Sequence, residues 1–410
     1  MDDARLATIA AAVGTPAYVY DADAIRARYR ELTAAFAGRI PAHIHYSVKA
    51  NSNLAILRLL RSLGAGADIV SGGELTRALA AGFPPRALVF SGVGKTAAEL
   101  EQALAAGVGL INVESGAEAD LVACLAERAG GRARLGIRVN PDVTTETHRY
   151  TQTGVRGMKF GVPLDEAAPL ARRLRDVPYV ELASIGMHIG SQITSADPYR
   201  LGAAKLAALV AEVRASGIAS LTSVDVGGGL GIAYGDGAAA LTPEAFVAAV
   251  RPLHEATQLP VLVEPGRFLV GGAGVLLTRV LYRKHSGGRN VVIADAGMND
   301  LLRPSLYQAV HPIRVLGETT GEETLVDIVG PICETGDFLG VDRQLRGAEP
   351  GALLAVGGAG AYAFSMSSQY NSRPRAVEVL ADGNRWGVIR EREQPPDLVR
   401  GEHVEPRWIE

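Results

Sequence analysis

Between His43 and Gly266, short apolar runs recur at regular spacing, and most are followed by a stretch with helical periodicity. The runs are His43–Lys49, Gly66–Ser71, Ala87–Gly92, Leu110–Ser115, Arg134–Asn140, Leu182–Gly190, Ser220–Gly227 and Leu259–Gly266. Segments such as LAILRLLRSLG and AAELEQALAAG lie between them, with apolar residues at the three-to-four spacing of one helix face. Eight strands alternating with helices over ~250 residues predict an α/β fold, a (β/α)8 TIM-type barrel. An open doubly wound sheet would show fewer strands before its ligand motif.

Past Thr278 the pattern changes. VLLTRVLYRK, Ser286-Gly287-Gly288 and RNVVIADA read as a hairpin, and AVEVLADGNRWGVIRE reads as another around Asp382-Gly383. This predicts a C-terminal β-rich domain, sandwich-like or barrel-like, joined by the opening helix and the PAYVYD segment. The expected domains are 25–275 for the barrel and 1–24 with 276–410 for the β-rich part.

The 410 residues are 48% hydrophobic and 21% charged, which excludes disorder as the dominant state. The net charge is -3 and no basic run is long enough to follow a phosphate backbone, so no nucleic-acid partner is expected. No stretch reaches the ~18 apolar residues of a membrane span, and MDDARLATIAAAVGTP opens with acid where a signal peptide carries base. Two cysteines, Cys124 and Cys333, argue for a reducing compartment, and the expected location is the cytoplasm. Cys124, in LVACLAE, reads as a core-facing helix residue.

In such barrels chemistry lies at the C-terminal ends of the strands. Those ends offer Lys49, Asp68 with Ser71-Gly72-Gly73, Ser91, Glu114, Arg138, His188 with Gly190-Ser191, Gly227-Gly228-Gly229, and Glu264-Pro265-Gly266-Arg267. Lysine is scarce: only Lys49, Lys95, Lys159, Lys205 and Lys284 occur among 41 basic residues. Only a lysine can form an imine with an aldehyde. His43, His45, Ser47 and Lys49 share one strand parity, so the polar set is expected to face the barrel axis and Ile44, Tyr46 and Val48 the helices. SGVGKT invites a phosphate-loop reading of Lys95, but the required glycine six residues earlier is Val89, and the match fails. DVGGGLGI, after the seventh strand and one strand before Arg267, falls where barrels of this kind often build a phosphate site. A tight turn explains the same glycines. Glu264 would be costly if buried, unless it meets a cation or a protonated ring nitrogen. His43 and His45 also match the HxH of metal-dependent amidohydrolase barrels, a competing reading that needs further ligands.

YSVKANSNLAIL, GADIVSGGELTRAL, HIGSQI, DVGGGLGI, EPGRFLV, DAGMNDLLRPSLY, GPICETGDFL and GAYAFSMSSQYNSRPR together resemble the fold-type III pyridoxal-phosphate enzymes, and among them the diaminopimelate decarboxylases. The stretches run from Tyr46 to Arg375, in the family's order. The resemblance implies that Lys49 holds pyridoxal 5'-phosphate covalently. Gly228, Gly229, Ser191 and Gly266 would bind its phosphate, with a hydroxyl from Tyr362. His188 would stack on the ring, Glu264 would meet the ring nitrogen, and Asp68 and Arg138 would support the cofactor. Arg267, Arg303 and Tyr307 would meet substrate carboxylates, and Glu334 the distal ammonium. Cys333 would be the acid that protonates the carbanion, and no metal is expected. The Cys-Glu pair would come from the neighbouring subunit of a homodimer. The implied reaction is conversion of meso-2,6-diaminopimelate to L-lysine and CO2, the last step of lysine biosynthesis. The alternatives are decarboxylation of a related basic amino acid, a racemase of the same fold, the metal-dependent hydrolase, and a barrel that holds the cofactor without turnover.

Overall fold

The computed structural model describes residues 1–146, 148–235 and 240–409. The chain divides into two compact units: Asp23–Gly272, and Met1–Ala22 with Ala273–Glu410. The boundaries expected at 24/25 and 275/276 thus fall two to three residues earlier.

Asp23–Gly272 is a closed parallel barrel. Its strands are Ala42–Ser47, Gly66–Ile69, Leu88–Phe90, Leu110–Val113, Ala133–Asn140, Val180–Met187, Ser223–Asp225 and Val261–Val263, with Val162–Pro163 as a short addition beside the fifth. Closure comes where the last strand pairs with the first, Val261 opposite Ala42. Val89, Leu110, Ala183 and Leu262 form a buried cluster. After each of the first four strands the chain turns at a polar residue that caps the following helix. Asn53, Ser71, Thr96 and Ser115 each accept a backbone N–H of the helix they precede. Part of the polar rim seen in the sequence therefore starts helices rather than doing chemistry.

The first strand departs from its predicted span. Alternation holds through Ser47, with Ile44 and Tyr46 buried, but Val48–Ala50 is a 3-10 turn. Lys49 stands just past the strand, on that turn. Tyr46 Oη donates to the Asn51 carbonyl at 2.8 Å and closes the turn from behind.

The second unit is a nine-stranded mixed sheet. Ala17–Asp21 lies between Gly274–Ser286, antiparallel to it, and Val377–Asp382, parallel to it. The opening helix Asp3–Val13 buries Leu6, Ile9 and Ala10 against Val19, Leu277 and Val379. Both expected hairpins form: Ser286 pairs with Arg289 across Gly287-Gly288, and Asp382 pairs with Arg385. No described helix is long and apolar enough to cross a membrane.

Candidate active site

Lys49 Nζ lies 3.0 Å from Asp68 Oδ2, and Asp68 has no exposed surface. Ser47 Oγ approaches the same oxygen at 2.9 Å. A fully buried carboxylate is costly without a cation, so Asp68 fixes the lysine head where the strands end. The Lys49 side chain keeps 37% of its surface and opens into a cavity of about 380 Å³. Arg138, His188, Asp225 and Glu264 share that cavity's wall, as does Ser91.

The glycine turn closes one side. A Cβ on Gly228 would stand 2.1 Å from the Glu264 carbonyl oxygen, so only glycine fits against the eighth strand. Gly229 adopts φ +97°, and a Cβ there would stand 2.4 Å from the Gly190 carbonyl oxygen. The turn is locked from both ends. Gly227 N–H donates to Asp225 Oδ1 at 2.8 Å, and the Gly227 carbonyl accepts from Glu264 N–H at 2.9 Å. Gly228 N–H donates to His188 Nδ1 at 3.1 Å, and Tyr199 Oη donates to the Gly228 carbonyl at 3.0 Å. Gly228 therefore acts through its missing side chain, its N–H being given to the histidine. Ser191 similarly donates its N–H to the Thr151 carbonyl at 3.1 Å, and its hydroxyl lies 3.0 Å from Arg267 Nη2. Arg267 is buried at the start of the short helix Arg267–Val270 that follows Gly266, and also donates to Tyr234 Oη.

His188 is held neutral. Burial, with the positive Arg138 and Lys49 nearby, pushes its pKa well below the ordinary range. Because Nδ1 accepts from Gly228, the proton sits on Nε2. Arg138 Nη1 lies 2.8 Å from Glu114 Oε1 and its guanidinium packs 5.0 Å from the Phe160 ring centre. Glu264 is buried, and burial first, then the neighbouring Asp225 and Asp68, pushes its carboxyl well above the usual range. Such a group ionises when a cation comes to it.

His43 and His45 sit elsewhere. They open the first strand, at the opposite end of the barrel from Lys49, and line a second cavity of about 990 Å³ with Arg39, Arg86 and Arg134. His43 is exposed, and burial and His43 drop His45 to about pKa 4. Among the described residues no group of three or more metal-ligating side chains forms. Lys95 is buried and bound to Glu118 Oε1 at 2.8 Å and the Asn112 carbonyl at 2.8 Å, a brace within the barrel wall. Cys124 is exposed on its helix and not in the core, contrary to its apolar sequence neighbours.

The remaining candidates belong to the second unit. Arg303 is buried, and its Nη1 lies 2.8 Å from His311 Nε2, whose Nδ1 donates to the Gly357 carbonyl at 2.8 Å. That pattern fixes a neutral imidazole, which orients Arg303 without cancelling its charge. Tyr307 ends the same short helix, Arg303–Tyr307. Tyr362 adopts φ +54°. Cys333 and Glu334 are exposed. Asn371 Oδ1 accepts Cys333 N–H at 2.8 Å, and Tyr370 Oη donates to Glu334 Oε2 at 2.9 Å. The YNS segment thus holds the Cys-Glu loop.

Sequence reasoning did not single out Asp225, Asn112, Tyr199, Tyr234, His311, Tyr370 or Asn371. Asp225 carried a legible signal, as the last strand residue before three glycines. His311 and Asn371 carried none, since each partner lies in a different element.

Fold and site together define a barrel decarboxylase of the pyridoxal type. Residues 22–271 match the family model described as "Pyridoxal-dependent decarboxylase, pyridoxal binding domain". The chain is 46% identical over 402 residues to a diaminopimelate decarboxylase of Pseudomonas aeruginosa, covering 98% of this chain and 96% of the relative. A diaminopimelate decarboxylase of Aquifex aeolicus is 43% identical, covering 97% and 94%. The Helicobacter pylori diaminopimelate decarboxylase solved with L-lysine superposes with a TM-score of 0.91 at 42% identity, covering 94% of this chain and 96% of that one. The chain belongs to the diaminopimelate decarboxylase family.

The barrel residues fit pyridoxal phosphate. Lys49 offers an amine at the cavity, Gly228 and Gly229 leave the space a Cβ would fill, and Glu264 is a buried carboxyl suited to a ring cation. The metal-hydrolase reading of His43 and His45 is overturned by the family assignment and by their place at the wrong end of the barrel.

Proposed function

We infer that the chain removes one carboxylate from meso-2,6-diaminopimelate as CO2 and leaves L-lysine, the last step of lysine biosynthesis, with pyridoxal 5'-phosphate as cofactor. The observation that carries this reading is Lys49, held by buried Asp68 and sharing one cavity wall with Glu264 and His188. When bound, the cofactor supplies an electron-withdrawing ring that lets the bond between Cα and its carboxylate break. Lys49 anchors it, and Asp68 keeps the Nζ in place. Gly228, Gly229, Gly266, Ser191 and Tyr362 receive the phosphate. His188, neutral and fixed by the glycine turn, would pack against the ring, and Glu264 would favour a proton on its nitrogen. Arg138 supports this wall through Glu114.

Arg267, Arg303 and Tyr307 take the substrate carboxylates, and Glu334 takes the distal ammonium. A substrate without the second carboxylate forgoes a charge-assisted contact with these guanidinium groups, which supports a preference for diaminopimelate over lysine or ornithine. Cys333 delivers a proton to the carbon that has lost its carboxylate, its thiol acting as the general acid. The exposure of Cys333, Glu334 and Tyr370 supports a homodimer in which this loop completes the neighbour's site. The barrel unit carries the cofactor, and the β-rich unit carries substrate and interface residues. The two free cysteines, Cys124 and Cys333, support a reducing, cytoplasmic location.

The test is CO2 release from diaminopimelate, lysine and ornithine measured side by side. Release from diaminopimelate alone is expected. Brisk turnover of lysine or ornithine with none of diaminopimelate would overturn the substrate assignment, and racemisation without CO2 would overturn the reaction.

A further inference from the structure

Asp225 and Glu264 are buried on the cavity wall and Asp68 beside it, and the cations there are Lys49 and Arg138, the latter paired with Glu114 at 2.8 Å. Lys49 is committed to Asp68 at 3.0 Å. Asp225 and Glu264 remain, both buried on that cavity's wall, and the charge of Asp225 helps push the Glu264 carboxyl up. Two neighbouring carboxylates out of water cannot both stay ionised, whereas one proton between them turns repulsion into a strong hydrogen bond.

The surroundings fix this pair. Gly227 holds both members, donating its N–H to Asp225 Oδ1 at 2.8 Å and accepting Glu264 N–H at 2.9 Å. Asn112 Nδ2 stands 3.5 Å from Asp225 Oδ2, and Ser91 Oγ stands 3.4 Å from Glu264 Oε1. Of the charged groups around the cavity, Lys49 from the 3-10 turn and Asp68 from the second strand act on the pair, and Arg138 from the fifth strand is paired with Glu114.

We propose that Asp225 is a positioning residue that shares one proton with Glu264 in the cofactor-free protein and gives that proton up to the ring nitrogen when the cofactor binds. The O–H bond of the pair breaks, an N–H bond forms on the ring, and two carboxylates remain. Glu264 is then neutralised by the ring cation, while Asp225 stays held by Gly227 N–H and Asn112. The proton that the ring needs is stored in the protein rather than drawn from solvent. The same Asp225 carboxylate braces the glycine turn, so one side chain ties the phosphate end of the site to the nitrogen end. This proposal rests on the cofactor assignment above.

The test counts protons. Cofactor-free wild type and Asp225→Asn are titrated with pyridoxal phosphate by calorimetry in Pipes, Hepes and triethanolamine, which differ in ionisation enthalpy. Asparagine keeps an acceptor for Gly227 N–H but removes the second carboxylate that, with burial, holds the proton on Glu264. Counted from pH 6 to pH 9, the variant is expected to begin drawing a proton from solvent on binding at a lower pH than wild type. Equal counts, with or without weaker binding, overturn the proposal and leave Asp225 as a brace alone. Absence of cofactor binding by the wild type, read by visible absorbance, overturns the functional reading and the proposal together. If the asparagine variant does not load, the infrared difference spectrum of wild type on loading decides. A carboxylic-acid C=O band lost on loading, and missing in Glu264→Gln, supports the shared proton; its absence in wild type refutes it.

Discussion

Replacing Gly228 by alanine adds one methyl at the closest backbone approach in the site. The new Cβ would stand 2.1 Å from the Glu264 carbonyl oxygen, whereas ordinary contact begins near 3.4 Å, so the strands must part by about 1.3 Å. The Gly228 conformation itself is open to alanine, so the cost is steric. Neither side yields easily. The Glu264 backbone is tied by its N–H to Gly227 at 2.9 Å, and Gly228 is tied to His188 at 3.1 Å and to Tyr199 at 3.0 Å. Forced overpacking costs ~1–3 kcal/mol, and losing one of these hydrogen bonds adds about 1 kcal/mol. A total of about 2–4 kcal/mol lowers the melting temperature of a unit this size by about 5–15 °C. The displaced turn also carries the phosphate site and His188, so cofactor affinity is expected to fall about 10- to 100-fold. Gly131→Ala is the control, because a Cβ there meets nothing within 4 Å. The assays are thermal melting without cofactor and absorbance titration with pyridoxal phosphate. Wild-type melting and affinity in Gly228→Ala would refute the argument from close approach.

Two further outcomes follow from the same geometry. Cys333→Ala should reduce turnover of diaminopimelate by several orders of magnitude while cofactor affinity stays within about twofold, because Cys333 lies in the β-rich unit on an exposed loop and the cofactor wall is built by the barrel; single-turnover CO2 release and absorbance titration check the two halves. Asp300 carries a pH signature: burial raises its carboxyl from 3.8 to about 7 in the folded protein, so its folded form binds more protons and its contribution, complete below pH 3.8, is lost as pH rises through 7. Asp300→Asn retains an acceptor for Gly297 N–H and should therefore raise stability at pH 8 by roughly 2–4 kcal/mol while changing little at pH 4, as read by denaturant melts at both pH values.

The barrel was legible because each parallel strand is buried on both faces and reads as an apolar run, and the helices between them carry a different period. The two hairpins were legible from their turn residues. The position of Lys49 was legible while its conformation was not. Strand parity put it with Ser47, and both do reach Asp68 Oδ2, but the chain gets there through the 3-10 turn Val48–Ala50. A turn closed by Tyr46 onto Asn51 leaves no periodic mark. The glycine turn pointed to the right place with an incomplete reason, since Gly228 gives its N–H to His188 and works by the space it leaves. Partners far apart in sequence were beyond single-sequence reading: Asn371 bonds Cys333 across 38 residues, and His311 sets the tautomer that orients Arg303. Each such pair exists because the sheet joins distant strands, and neither residue type announces its partner.

The central claim is that the Lys49 amine carries the cofactor. Protein loaded with pyridoxal phosphate, reduced with borohydride and digested, should show the reduced pyridoxyl mass on the peptide containing Lys49 and on no other lysine peptide. Lys49→Ala should show none. Label on Lys95, Lys159, Lys205 or Lys284 in place of Lys49, or an unlabelled Lys49 peptide from protein that has bound the cofactor, would contradict the account.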